Sequence, residues 1–217
     1  MERRSALKNM GMAFGYAVAT PTLLGLLQSC KDKAAYAEWI PSFLGKEQGY
    51  ALAQTLDVIL PKTDTPSATE MNVHVFIDAY LNEVLPKEQQ DFVKLKMGNF
   101  FDKVLADSGK ESLLDIESAD IEPALQTYLK KRTDEEEEAH FEAINSYMDA
   151  IKQGGEASLD EDIASFSFAN DLRNLATWAY KSSEFVGEEV LAYLPIPGEY
   201  IACGDLNTLT GGKAWSL

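Results

Sequence analysis

The chain has 217 residues, 46% of them hydrophobic, and a formal net charge of −16. That length supports one good core in a single domain, and the acidic balance argues against nucleic acid or an anionic membrane surface as partner. The two cysteines, Cys30 and Cys203, form no C-x-x-C or C-x-x-C-H, so no zinc ribbon, thioredoxin-like motif or covalent c-type haem is encoded.

Residues 1–29 read as an address rather than as part of the fold. Arg3 and Arg4 precede a mildly apolar run, Met10 to Leu27, that contains Pro21 and three glycines. Such a run makes a poor transmembrane helix and a good export segment. Paired arginines ahead of it match a twin-arginine signal, although Glu2 and Ala6 depart from the usual flanking residues. Leu27-Gln28-Ser29-Cys30 then looks like a lipobox, in which the chain is cut before Cys30 and the cysteine acylated. The expected mature protein is a periplasmic lipoprotein held to the membrane by lipid on Cys30, with residues 30–46 as tether and 47–217 as a helical domain. Trp39, Ile40, Pro41 and Phe43 are the tether residues expected to touch the body. Lipid on Cys30 leaves only the Cys203 thiol, so no intramolecular disulfide is expected.

The body reads as helices. Glu47 to Leu60 places Leu52, Leu56, Ile59 and Leu60 on one face and stops at Pro61. A polar loop with Asp64 and Pro66 follows. Val73 to Leu85 carries Val73, Phe76, Ile77, Tyr80, Leu81 and Val84 at helical spacing, all read as core. Pro86 opens a helix from Lys87 to Ala106, with Phe92, Leu95, Phe100 and Val104 for core and Ser108-Gly109 as the stop. Further helices are expected from Ser118 to Lys131, Asp134 to Lys152 and Leu159 to Val186. Strand signals are nearly absent; only Tyr200 to Cys203 is a candidate extended piece. The fold class is therefore all-α, a single-domain helical bundle with an extended, Pro/Gly-rich C-terminal arm.

That arm grows out of the last helix. Trp178, Phe185 and Val186 are expected near one helical face, with Tyr180 and Glu184 around the remainder. Pro195 and Pro197 forbid further helix, Gly198 permits a turn, and Tyr193 and Tyr200 flank the break. A loop so rich in rigid apolar residues must pack on something. It either folds back on its own helices or docks on a partner, and the two are compatible.

The runs WAYKSSE (Trp178 to Glu184) and YLPIPGEYIAC (Tyr193 to Cys203) resemble the C-terminal signature of the gluconate 2-dehydrogenase subunit 3 family. A second block, LDVILPKTDTPSA (Leu56 to Ala68), resembles its N-terminal pattern, with Ser67 where glycine is usual. The resemblance spans roughly Ala51 to Leu206 and is carried by its two ends. It implies a non-catalytic small partner of a periplasmic, FAD-dependent (GMC-type) sugar or alcohol dehydrogenase, with the flavin in the partner and a cytochrome c as electron acceptor. Trp178, Tyr180, Glu184, Tyr193, Pro195, Pro197, Gly198, Tyr200, Asp64 and Pro66 are the candidate interface.

Self-sufficient chemistry is hard to find in the residues. Glu137-x-x-His140 is half of a helical di-iron pattern, but the other histidine, His74, has Met71 three residues before it. His74 reads as a partly exposed capping or packing residue. Glu184, Ser182, Ser183 and Tyr180 lack a spaced histidine or lysine to activate a serine, and a hydrogen-bonded helix end accounts for them. No G-x-G-x-x-G or P-loop is present to cradle a flavin or nucleotide. No catalytic, cofactor-binding or metal residue is therefore assigned, and the chain is not expected to be an enzyme by itself. The alternative is a stand-alone helical periplasmic lipoprotein that binds a small ligand or holds an unrecognised enzymatic site.

Overall fold

A computed structural model describes residues 39–194, 196, 198 and 201–216. Arg3, Arg4, Cys30, Pro195, Pro197 and Tyr200 lie outside the described residues. The elements are α1 (Lys46–Ile59), α2 (Val73–Glu83), α3 (Lys87–Ser108), α4 (Ser118–Tyr128), α5 (Asp134–Lys152), α6 (Glu161–Lys181), a single π-turn (Val186–Val190) and a short α7 (Leu206–Thr210). Among the described residues there is no strand, only an isolated bridge between Ala192 and Trp215. The all-α expectation holds.

Local chemistry sets the helix ends. Thr133 and Glu136 form a reciprocal cap on α5: the Glu136 N–H donates to Thr133 Oγ1 at 3.2 Å, and the Thr133 N–H donates to Glu136 Oε2 at 2.9 Å. Asp160 Oδ1 accepts from the N–H groups of Asp162 and Ile163 at the start of α6. Gly109 ends α3 in the left-handed conformation, at φ 68°, where a side chain would be strained. The Gly109 stop was legible in the sequence; the Thr133 and Asp160 caps emerge from the structure.

The core is built around α3 and α6, the most extensively packed pair. Phe100 meets Phe168 at 5.2 Å between ring centroids, and Phe101 and Tyr128 lie against the same aromatic cluster. Leu52 and Leu56 of α1, Ile77 and Leu81 of α2, and Ile121 and Leu125 of α4 close around it. α5 stands apart, burying no residue completely and packing on α6. A stacked contact between Phe92 and Tyr147 at 5.3 Å ties it to α3 as well. Among the described residues, no helix is long and apolar enough to cross a membrane.

Several expectations are corrected. The last long helix stops at Lys181, not Val186, so Trp178, Phe185 and Val186 do not share a face: Val186 is buried while Trp178 and Phe185 are exposed. The reason is local: the hydroxyls of Ser182 and Ser183 donate to the carbonyls of Trp178 and Tyr180 and close the helix end. On α3, Phe92 and Leu95 are only half-buried, and the fully buried set is Lys96, Met97, Phe100, Phe101 and Val104. Lys96 stays inside because its Nζ donates to Ser167 Oγ and Asp171 Oδ2 and sits 4.4 Å from the centre of the Phe92 ring. His74 is buried on α2 rather than partly exposed, Phe76 of the same helix is exposed rather than core, and Val84, just past the helix end, is exposed as well. Among the described residues, 201–203 form no bridge; the extended contact forms at Ala192, whose N–H donates to the Ala214 carbonyl at 2.8 Å.

The segment leading into α1 is part of the body. Leu44 is buried, and Phe43 packs against the core beneath the Lys94 ammonium, 4.5 Å from its ring centre. Phe43 thus makes the contact expected of it, whereas Ile40 is almost fully exposed.

Candidate partner-docking face

The loop between α1 and α2 is a tightly bonded unit. Asp57, on the last turn of α1, accepts from the Thr69 N–H at 2.9 Å and the Thr69 hydroxyl at 2.6 Å. Glu70 accepts from Lys62 Nζ at 2.5 Å and from the Ser67 N–H at 2.9 Å. The Lys62 hydrogen bond, followed by that of Ser67, holds the Glu70 carboxyl below its ordinary range. Ser67, Ala68 and Thr69 are buried, which leaves Asp64 exposed on the outer turn. Ser67 fits where glycine is usual because its backbone is not left-handed; Asn72, at φ 56°, is the described non-glycine residue that is.

The end of α6 closes on this loop. Tyr180 is half-buried, and its hydroxyl donates to the Pro66 carbonyl at 2.7 Å across 114 residues of sequence. Two residues earlier and round the helix, Trp178 is 46% exposed and meets Phe76 of α2, itself 42% exposed. Their ring centroids lie 5.3 Å apart, and the Trp178 ring is 6.0 Å from that of Tyr80. The result is a three-ring aromatic face, fixed by two helices and bordered by a rigid loop. Single exposed apolar residues are ordinary, but here rings on two elements contact one another and still face solvent, which makes the patch a candidate interaction surface.

Three of the expected residues, Trp178, Tyr180 and Pro66, therefore come together, with Asp64 on the same loop. Glu184 lies exposed past the helix end, apart from that face. Tyr193 and Gly198 are exposed on the arm, together with Leu194, Ile196 and Ile201. Sequence reasoning missed the outward position of Phe76 and its contact with the half-buried Tyr80. A signal was present: they are four residues apart, one step round the helix from the buried stripe Val73–Ile77–Leu81. Two neighbouring stripes on one helix are more than a single core contact requires.

Elsewhere most polar groups are paired internally, although the buried His140 Nδ1 accepts no hydrogen bond from a described residue. A cavity of about 250 Å³ is lined by Tyr128, Lys130, Arg132, Glu136, His140 and Asp162, among others. Within it Tyr128 donates to Asp162, Glu136 caps α5, and Arg132 donates to the Tyr128 carbonyl while lying over Phe166 at 4.2 Å. The Tyr128 hydroxyl is pushed up by burial and then by its bond to Asp162. The His140 ring packs on Phe166 at 4.8 Å, and Glu137 is exposed on the first turn of α5. Among the described residues, no three His, Cys, Asp or Glu side chains gather as a metal cluster. His74 is held below its ordinary pKa by burial, against which the negative charge of Asp57 acts.

Residues 46–198 match the family model described as Gluconate 2-dehydrogenase subunit 3. The chain belongs to the gluconate 2-dehydrogenase subunit 3 family. No curated protein and no solved structure is similar enough to count as a match. The subunit 3 region begins at the first residue of α1 and contains both the Leu56 to Ala68 block and the Trp178 to Glu184 block. These are the two stretches that Tyr180 and Pro66 join in space. The region ends at residue 198, so the arm beyond it, including α7 and the strand-like contact at Trp215, lies past the part that defines the family.

Proposed function

We propose that this chain is a non-catalytic small subunit that binds and stabilises a periplasmic FAD-dependent (GMC-type) sugar or alcohol dehydrogenase. The carrying observation is the Phe76–Tyr80–Trp178 face, built on the loop that Tyr180 holds, inside the region shared with the subunit 3 family. Aromatic rings in contact but half open to water supply large rigid area at low entropic cost, which suits an obligate protein partner. The exposed apolar residues of the arm, Tyr193, Leu194, Ile196 and Ile201, extend the surface available to that partner.

Export and anchoring complete the proposal. Arg3-Arg4 would send the folded subunit, with any signal-less partner bound to it, through the twin-arginine route, and lipid on Cys30 would hold the pair at the membrane. The flavin belongs to the partner, from which electrons pass to an acceptor such as a cytochrome c. The test is isolation of the affinity-tagged chain from membranes of its own host in mild detergent. Stoichiometric recovery of a larger protein with flavin absorbance supports the reading. A solitary chain in detergent extracts that retain the dehydrogenase activity elsewhere contradicts it.

A further inference from the structure

α2 has two working faces. Its inner face carries Val73, His74, Ile77, Asp78 and Leu81, all buried; its outer face carries Phe76 and Tyr80 against Trp178. Asp78 is 1% exposed and forms no ion pair with a described residue. Its carboxylate instead accepts from three consecutive backbone N–H groups of the segment leading into α1. Ser42 donates to Oδ2 at 2.5 Å, Leu44 to Oδ1 at 3.0 Å, and Phe43 to both oxygens at 3.2 and 3.3 Å.

Successive N–H groups converging on one anion form a concave nest. The dependence runs both ways. Without the nest, Asp78 is a buried carboxylate lacking its donors, a state that is strongly unfavourable. Without Asp78, the lead-in keeps little besides the buried Leu44 and the Phe43 contact to hold it. α2 is a stiff rod, so a change of position at Asp78 is carried to Phe76, two residues before it on the other side.

We propose that Asp78 is a conformational latch: the docked lead-in fixes α2 in the position that presents Phe76 and Tyr80 to Trp178, and release of residues 42–44 loosens that face. The latch couples residues 42–44 to the aromatic surface. Its consequence for docking rests on the proposed partner role; the latch itself does not, and the free chain tests it.

The experiment is NMR on the full-length free chain, with backbone amide exchange at 42–44 and the Trp178 indole and Phe76 ring signals as readouts. Asp78→Asn removes the charge with little change of shape, and Leu44→Ala loosens the lead-in while leaving the carboxylate intact. Both are expected to speed exchange at 42–44 by about tenfold or more and to shift the Trp178 and Phe76 signals together. Unchanged exchange at 42–44 in Asp78→Asn overturns the latch. Faster exchange there with Trp178 and Phe76 unmoved overturns the coupling. Should Asp78→Asn not fold, Leu44→Ala decides between the same outcomes. Dehydrogenase binding that persists in a variant whose Trp178 and Phe76 signals have shifted would count against the docking face, not the latch.

Discussion

Replacing Tyr180 with phenylalanine removes one oxygen and, with it, the bond that joins the two family blocks. The ring can keep its half-buried packing, so the loss is confined to the 2.7 Å hydrogen bond and to a Pro66 carbonyl left to water. A neutral bond of this kind contributes about 1 kcal/mol net. In a body of this size, that corresponds to a melting temperature lower by about 3 °C. The denaturant midpoint should fall while the m-value stays constant, because no surface of the unfolded chain changes. Amides of the loop between α1 and α2 should exchange about fivefold faster, whereas those of α3 should change only with global stability. Unchanged melting and unchanged loop exchange would refute the joint. A loss near 3 kcal/mol would show that the ring itself had moved and that the hydrogen bond is not the main tie.

Three further outcomes follow from named groups. The folded protein resists protonation of His74, whose pKa lies below 6.5 when folded. The unfolded chain therefore binds more protons as pH falls, and stability should decline as pH drops from about 7 towards about 5. Chemical denaturation across that range should show a shallower slope for His74→Gln, and greater stability on acidification of the native chain would contradict the burial argument. Cys30→Ala should move the protein from the membrane to the soluble fraction, and intact mass of the membrane-extracted form should show an acylated N-terminal cysteine. Changing Arg3 and Arg4 to lysine should strand the chain and a signal-less partner in the cytoplasm, read by fractionation; normal delivery would mark a general secretory signal.

Much of the fold was legible because the helices announce their own ends. Pro61, Gly109 and Gly154-Gly155 are breakers, and the effect of a breaker or cap reaches only about one turn. Periodicity also gave α2 its apolar stripes. It could not say which stripe would be covered, since that depends on where α6 crosses, so Phe76 was assigned to the core. Asp78 and Lys96 went unnoticed for a related reason. A buried charge is tolerated only with partners, and theirs lie 34 to 36 and 71 to 75 residues away. The end of α6 was overestimated because two serine hydroxyls, not a proline or glycine, close it. Of the docking face, Trp178, Tyr180 and Pro66 were visible through the family blocks. That the blocks touch is a property of the folded chain alone.

The central claim is that the aromatic face meets the dehydrogenase, and Trp178→Ala tests it most directly. Trp178 is half-exposed and its ring contacts are to Phe76 and Tyr80, so the free subunit should lose only about 1 kcal/mol of stability. Phe100→Ala, buried in the core, should lose ~3–5 kcal/mol and serves as the reference. Affinity for the purified catalytic subunit, measured by titration of the folded variant, should fall by at least ~2 kcal/mol, about thirtyfold. Unaltered affinity, or a stability loss as large as that of Phe100→Ala, would contradict the account.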